Sequence, residues 1–323
     1  MTHKERAAAA LTLKIPDRVP TFELEFQLAE EMFGKPLIPK ELHHKNLATL
    51  SQAEKEKILY ETAEYFAYVY GQLDYSIIPL PVLGDFSLCA QGKLPEEFLL
   101  FVKYLRDVTE DKVFFTFHGD GTFAIPDGNQ MYEFAYRTVD DPEGLHREAK
   151  AMADGVILRN KLMSEAGVET LILCSDYCYN SGPFLSPTMF REFIQPYLYR
   201  IIKEAKANGQ YTIKHTDGNI MPIIDQLVEC EPHALHSIDP MAGVDIREVK
   251  RLYGDKVCLC GNVHCAAMQT GTEQEVIDSA EYCLTHAKPG GGYIFCTSNV
   301  PFKGMPPERY QLVLDVWKRM RDY

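Results

Sequence analysis

The sequence predicts an α/β fold, a (β/α)8 TIM barrel built as a single domain over residues 1–323. Three observations carry that prediction. Short runs rich in β-branched and aromatic residues alternate with helix-period patterns along the chain, eight times in all. The runs are apolar nearly throughout, which suits parallel strands buried on both faces better than half-exposed antiparallel ones. No low-complexity stretch, charge block or Pro/Gly/Ser linker divides the chain. A doubly wound sheet is the alternative, but eight units and the lack of a glycine-rich first turn favour the barrel.

In chain order, the first run is VPTFELE (19–25). Ser51 with Glu54 forms a capping box that opens a helix before the second run, YSIIPL (75–80). VFFTFHG (113–119) and TLILCSD (170–176) follow as the third and fourth. Ser186-Pro187 then supplies an N-cap and a first-turn proline. Phe190, Phe193, Ile194, Tyr197, Leu198, Ile201 and Ile202 repeat at three- and four-residue spacing, so one helix is expected to run to Gly209. QYTIKHTD (210–217), ALHSIDP (234–240) and VCLCGNV (257–263) come next. Thr272 with Glu275 caps the helix before the last run, GYIFCTS (292–298).

The bulk numbers narrow the function. Hydrophobic residues make up 46% and charged residues 24%, ordinary for a globular protein. A net charge of −13 speaks against nucleic acid and anionic membrane surfaces as general partners. No apolar stretch is long enough for a membrane span. The opening MTHKERAAAALTLKIPDRVP lacks a signal-peptide core, so a cytoplasmic protein is expected. The nine cysteines, an odd number, then read as reduced thiols, most of them small buried hydrophobes. No subunit interface is legible, so a homo-oligomer stays open.

In this fold chemistry gathers at the C-terminal ends of the strands. Those ends carry Glu23/Glu25, His118/Asp120, Asp176, His215/Asp217, Asp239, Asn262/His264 and Cys296. Residues two apart on a strand share a side, so His215 and Asp217 face one interior site, and Glu23 and Glu25 share a face. Cys296 ends the last run and projects toward the same mouth. Imidazole, carboxylate and thiolate together make a reasonable set of zinc ligands with a position left open for substrate. By itself, His-x-Asp at a strand end also reads as a hydrogen-bonded pair, and a lone cysteine as packing. Tyr177, Tyr179 and Phe117 offer an apolar wall for a substrate, or ordinary packing. Strand alternation turns Phe117 away from the side of His118. Asp176 reads as a catalytic orienting group or as a cap of the next loop, and Glu25 as a general base or a fourth ligand. His236 and His286 read as structural.

From Cys174 onward the segments SDYCYNSGPFLSPTMFREFIQPYL, KHTDGN, HSIDPMAGVDI, LCGNV and PFKGMPPERY resemble the uroporphyrinogen decarboxylase superfamily, as does the opening KERAAAALTLKIPDRVP. The resemblance implies the (β/α)8 barrel and offers two branches. The decarboxylases carry an N-terminal RQAGRY-type segment whose arginines hold an acidic tetrapyrrole; here that region reads TFELEFQLAEE, and Glu23 and Glu25 are expected to repel a polyanion. The other branch is the corrinoid-dependent methyltransferases, which move a methyl group between a small molecule and a partner corrinoid protein carrying methylcobalamin. Their thiol-methylating members are similar in carrying His-x-Cys after the fifth strand and a Cys after the eighth, three residues that bind zinc. His215 and Cys296 match that pattern, while Asp217 stands where the first cysteine would be, giving a harder site better suited to a methyl ether, such as a methoxylated aromatic, than to a thiol. Asp239 and Asn262 match the family's DP and GN positions, which shape the corrinoid-facing loops; His264 stands where many relatives carry an acid and is expected only to contact the corrinoid. The expectation is a zinc-dependent methyltransferase; a tetrapyrrole decarboxylase and a non-catalytic corrinoid- or tetrapyrrole-binding barrel are the alternatives.

Overall fold

The computed structural model of the protein describes residues 1–47 and 49–323. Seven parallel strands form one sheet in sequential order: β1 (Ile77–Pro79), β2 (Phe114–His118), β3 (Thr170–Cys174), β4 (Tyr211–His215), β5 (Ala234–His236), β6 (Cys258–Val263) and β7 (Tyr293–Thr297). Every neighbouring pair is parallel, and helices lie between them, among them Gln52–Gln72, Glu96–Val108, Pro142–Glu165 and Glu273–Ala287. Strand, helix and strand succeed one another as the apolar runs require, because strands buried on both faces need a helix layer outside.

The eighth stave differs from its expected form. Of the run 19–25 only Thr21 pairs, through parallel bridges to Tyr75 on one side and Phe295 on the other. Ser76 N–H donates to the Thr21 carbonyl at 2.8 Å, and Phe295 N–H to the Pro20 carbonyl at 2.9 Å. Pro20 has no N–H to offer a ladder, which limits pairing to a short contact. That contact closes the barrel. Phe22 then turns inward against His236, with ring centroids 6.0 Å apart.

Two other expectations change in detail. The helix from Pro187 ends at Phe193, and a second begins at Gln195. Ile194 sits at φ −121° between them, and Pro196 in the first turn of the second helix cannot donate the hydrogen bond that continuity needs. The run 234–240 stops as a strand at His236, because Ser237 and Ile238 adopt φ of +79° and +51°. The capping boxes at Ser51/Glu54 and Thr272/Glu275 are both formed. All nine cysteines are unpaired, and eight are buried.

Candidate metal centre

At the C-terminal mouth, β3 and β4 place three ligand groups together. His215 is the last residue of β4, in register with Cys174 of β3, so Asp176 and Asp217 follow side by side just beyond the strand ends. One ligand atom each from Asp176, His215 and Asp217 lie within 4.8 Å of one another. His215 Nε2 stands 3.8 Å from an Asp176 oxygen and 3.7 Å from an Asp217 oxygen.

Each carboxylate is aimed by its neighbours. Asp217 N–H donates to Asp176 at 3.0 Å. The Ser237 hydroxyl donates to one Asp217 oxygen at 2.8 Å, and the Asn299 side-chain amide to the other at 2.6 Å. Ser237 reaches there from its left-handed backbone, a strained conformation kept beside the cluster. Burial pushes the Asp217 carboxyl up to about 6, and the nearby Asp176 and Asp239 carboxylates push the same way. Burial holds the His215 imidazole down to about 4. Among the described residues no lysine or arginine pairs with Asp176 or Asp217. Lys214, which also bears on His215, is committed to Asp120 at 2.7 Å. Two adjacent carboxylates without a cation, next to a neutral imidazole, form an electrostatic seat for a divalent metal.

Cys296 does not join this cluster. Its thiol is fully buried and sits among Glu23, Cys283, Cys258 and Cys265, none of them a member of the triad. Asn299, three residues further on, is the group from the end of the last strand that reaches Asp217. Asn299 lies beyond the last apolar run, which ends at residue 298, so strand-end position gives no signal for it. Ser237 carried no signal at all, because only its positive φ turns it toward Asp217.

The family profile "Uroporphyrinogen decarboxylase (URO-D)" matches residues 127–320, well over half of the chain. The chain belongs to the uroporphyrinogen decarboxylase family. Uroporphyrinogen decarboxylases of Thioalkalivibrio sulfidiphilus (strain HL-EbGR7) and Aromatoleum aromaticum (strain DSM 19018 / LMG 30748 / EbN1) are each 26% identical to it, over 202 and 181 residues. These matches take in 58% and 54% of this chain and 53% and 48% of those proteins. The chain thus spans about half the length of the curated relatives it matches. Among solved structures it is similar to a β-L-arabinopyranosidase of Geobacillus stearothermophilus (TM-score 0.48, 10% identity, 97% of this chain and 78% of that one). A D-psicose 3-epimerase of Clostridium cellulolyticum H10 follows at TM-score 0.44 and 11% identity, covering 80% of this chain and 85% of that one.

In this uroporphyrinogen decarboxylase-family barrel the remaining expected site residues separate. Glu23 and Glu25 do not share a face, since regular pairing ends at Thr21. Glu23 is buried and accepts from Thr297 N–H at 3.1 Å and from the Tyr310 hydroxyl at 3.3 Å. Glu25 is exposed, accepts from the Gln27 amide at 2.9 Å and bears electrostatically on His118. Phe117 packs in the helix layer, stacked on Phe86 at 5.2 Å and edge-on to Phe98 at 5.4 Å, as strand alternation requires. Tyr177 is buried under Lys214, whose Nζ lies 4.0 Å above its ring, and its hydroxyl meets Thr122 at 2.6 Å. Of the three aromatic candidates only Tyr179 is exposed, on the hairpin that follows Asp176.

Asp239 accepts from Gly218 N–H at 3.1 Å and Met241 N–H at 2.9 Å, and so ties the loops after β4 and β5 together. The Asn262 amide donates to the Ile238 carbonyl at 2.7 Å, and His264 caps the short helix Cys265–Thr270. Asn262 and His264 also line a cleft of about 660 Å³ with Asp245 and Tyr282; none of the triad residues lines it. Among the described residues no helix is long and apolar enough to cross a membrane.

Proposed function

We propose that the protein is a zinc-dependent methyltransferase that moves a methyl group between a small molecule and a corrinoid protein. The observation that carries the reading is the convergence of Asp176, His215 and Asp217 at the barrel mouth. The residues fit the metal: one imidazole and two carboxylates are ordinary zinc ligands, and three protein ligands are the number a catalytic zinc site uses. Bound there, zinc would supply Lewis acidity toward the oxygen or sulfur that carries or receives the methyl group. A donor set without sulfur is harder than the one expected with Cys296, which favours a methyl ether over a thiol as the small molecule.

The chain's own residues account for the rest. Asn299 and Ser237 hold Asp217, and Asp217 N–H holds Asp176, so the ligands are aimed before any metal arrives. His118 and Glu25 stand at the rim, where a proton could be passed to or from a departing group. Tyr179, three residues beyond Asp176, gives an exposed aromatic surface on the hairpin that follows that ligand. The cleft beside Asn262 and His264 is the surface assigned here to the corrinoid partner.

The names of the curated relatives favour a second reading, decarboxylation of a tetrapyrrole. That reaction needs cations for a polyanion, and the triad presents carboxylates instead. Elemental analysis of protein purified without a metal-binding tag tests the choice. About one zinc per chain is expected, as for a single three-ligand site, lost in His215→Ala and Asp217→Ala and kept in Cys296→Ser. Methyl release from a methoxylated aromatic to reduced corrinoid should follow the zinc. No zinc after reconstitution, with carbon dioxide released from uroporphyrinogen, would replace this reading by the second.

A further inference from the structure

His236 stands directly behind His215 on the neighbouring strand, and the two are register partners. Their Nδ1 atoms are 2.9 Å apart, with ring planes 53° apart. Both side chains are buried, His215 at 6% and His236 at 1% exposure. Two ring nitrogens at that distance share one hydrogen: one donates it and the other accepts it. His236 Nε2, the far nitrogen of the pair, is buried and has no hydrogen-bond partner among the described residues. An apolar side chain would fill this place beside Phe22 and remove the unmet Nε2, but it would leave the buried His215 Nδ1 without its partner. A histidine kept there at that cost points to a task that only its near nitrogen performs.

The task follows from the far side of His215. Its Nε2 is the ring nitrogen facing Asp176 and Asp217, and a metal seated there needs that nitrogen's lone pair. The ring hydrogen of His215 must then sit on Nδ1, where His236 Nδ1 accepts it. We infer that His236 is a positioning residue of the metal centre: it fixes the tautomer and ring angle of His215, while its own hydrogen is parked on the unpartnered Nε2. Metal-binding histidines commonly give their second N–H to a carboxylate or a carbonyl; here an imidazole takes that place. This inference rests on the metal-site reading proposed above, and it asks His236 to touch neither metal nor substrate.

The test is zinc titration against a competing chelator, on the full chain, with histidine-labelled protein read in parallel by long-range ¹H–¹⁵N NMR. In the zinc-bound parent the His215 hydrogen is expected on Nδ1. His236→Leu, which cannot accept it, should weaken zinc binding about ten- to a hundred-fold. His236→Gln, whose amide oxygen can accept it, should stay within about threefold of the parent. Equal zinc affinity in His236→Leu and the parent, or a zinc-bound His215 with a bare Nδ1, overturns the inference. The tautomer is read on the parent, so it decides even where His236→Leu fails to fold. Zinc that His215→Ala does not remove overturns the metal-site reading as well, a result distinct from losing His236's role alone.

Discussion

Glu23 shows what a single side chain can do when its charge has no counter-ion. Burial pushes its carboxyl from an ordinary 4.5 up to about 8, with Thr297 and Tyr310 only partly offsetting the effect. The folded value lies above the unfolded one, so the group's contribution to stability is fully present below about pH 4.5 and is lost as pH rises through about 8. Glu23→Gln keeps the shape without the charge and should flatten the fall in melting temperature between about pH 5 and pH 9; an unchanged pH profile would count against a neutral, buried Glu23. Asn299 acts at the same scale through one hydrogen bond to Asp217. Asn299→Ala should weaken zinc binding about tenfold with little change in thermal stability, measured by chelator competition beside a thermal melt.

Between elements, the backbone approach of the hairpin after β3 to the turn after β4 decides one residue outright. Gly218 has φ +81°, and a Cβ there would lie 2.4 Å from the Cys178 carbonyl oxygen. This is the physical content of the glycine in KHTDGN, which brings the turn beside Asp176. On the opposite side of β4, Lys214 is fully buried and ties three segments together: its ammonium donates to Asp120 at 2.7 Å and to the Leu173 and Ser175 carbonyls at 3.0 Å each. Burial alone would push the Asp120 carboxyl up, but Lys214 and Thr122 outweigh it and hold it low. Lys214→Met strands that carboxylate and should cost about 3–5 kcal/mol in urea unfolding, with Lys214→Met/Asp120→Asn recovering much of the loss. Additive effects of the two changes would show that the pair is not coupled.

For the whole molecule, closure is the decisive event. The sheet would expose β1 and β7 as open edges were it not for the contact at Pro20–Thr21, and an open parallel edge is a site for mispairing. The helix Pro307–Met320 reinforces that seam from outside: Trp317 Nε1–H donates to the Val19 carbonyl at 3.1 Å, and Tyr310 meets both Tyr75 and Glu23. Deleting residues 1–25 should therefore abolish cooperative thermal unfolding and raise binding of a hydrophobic dye, even though most of the core lies elsewhere. Retention of a sharp melt would show that the seven-stranded sheet stands without its eighth stave.

The barrel is legible in the chain before folding, because apolar runs of strand length, helix-period stretches and capping boxes are local patterns that packing has only to assemble. The sequence also placed His215, Asp217 and Asp176 at strand ends, since strand direction and the period of two are properties of the chain. What it could not settle was which ends meet. Cys296 is as close in sequence to a strand end as Asp217, yet its thiol lies among Glu23 and other cysteines while Asn299 reaches the cluster. Glu23 and Glu25 part because pairing stops at Thr21, and Ser237 reaches Asp217 because its backbone turns left-handed. His236 reads as structural in the sequence, and only the register of the two strands sets it against His215. Distances across a closed sheet depend on stagger, curvature and irregular backbone, and those arise only when all the staves are in place.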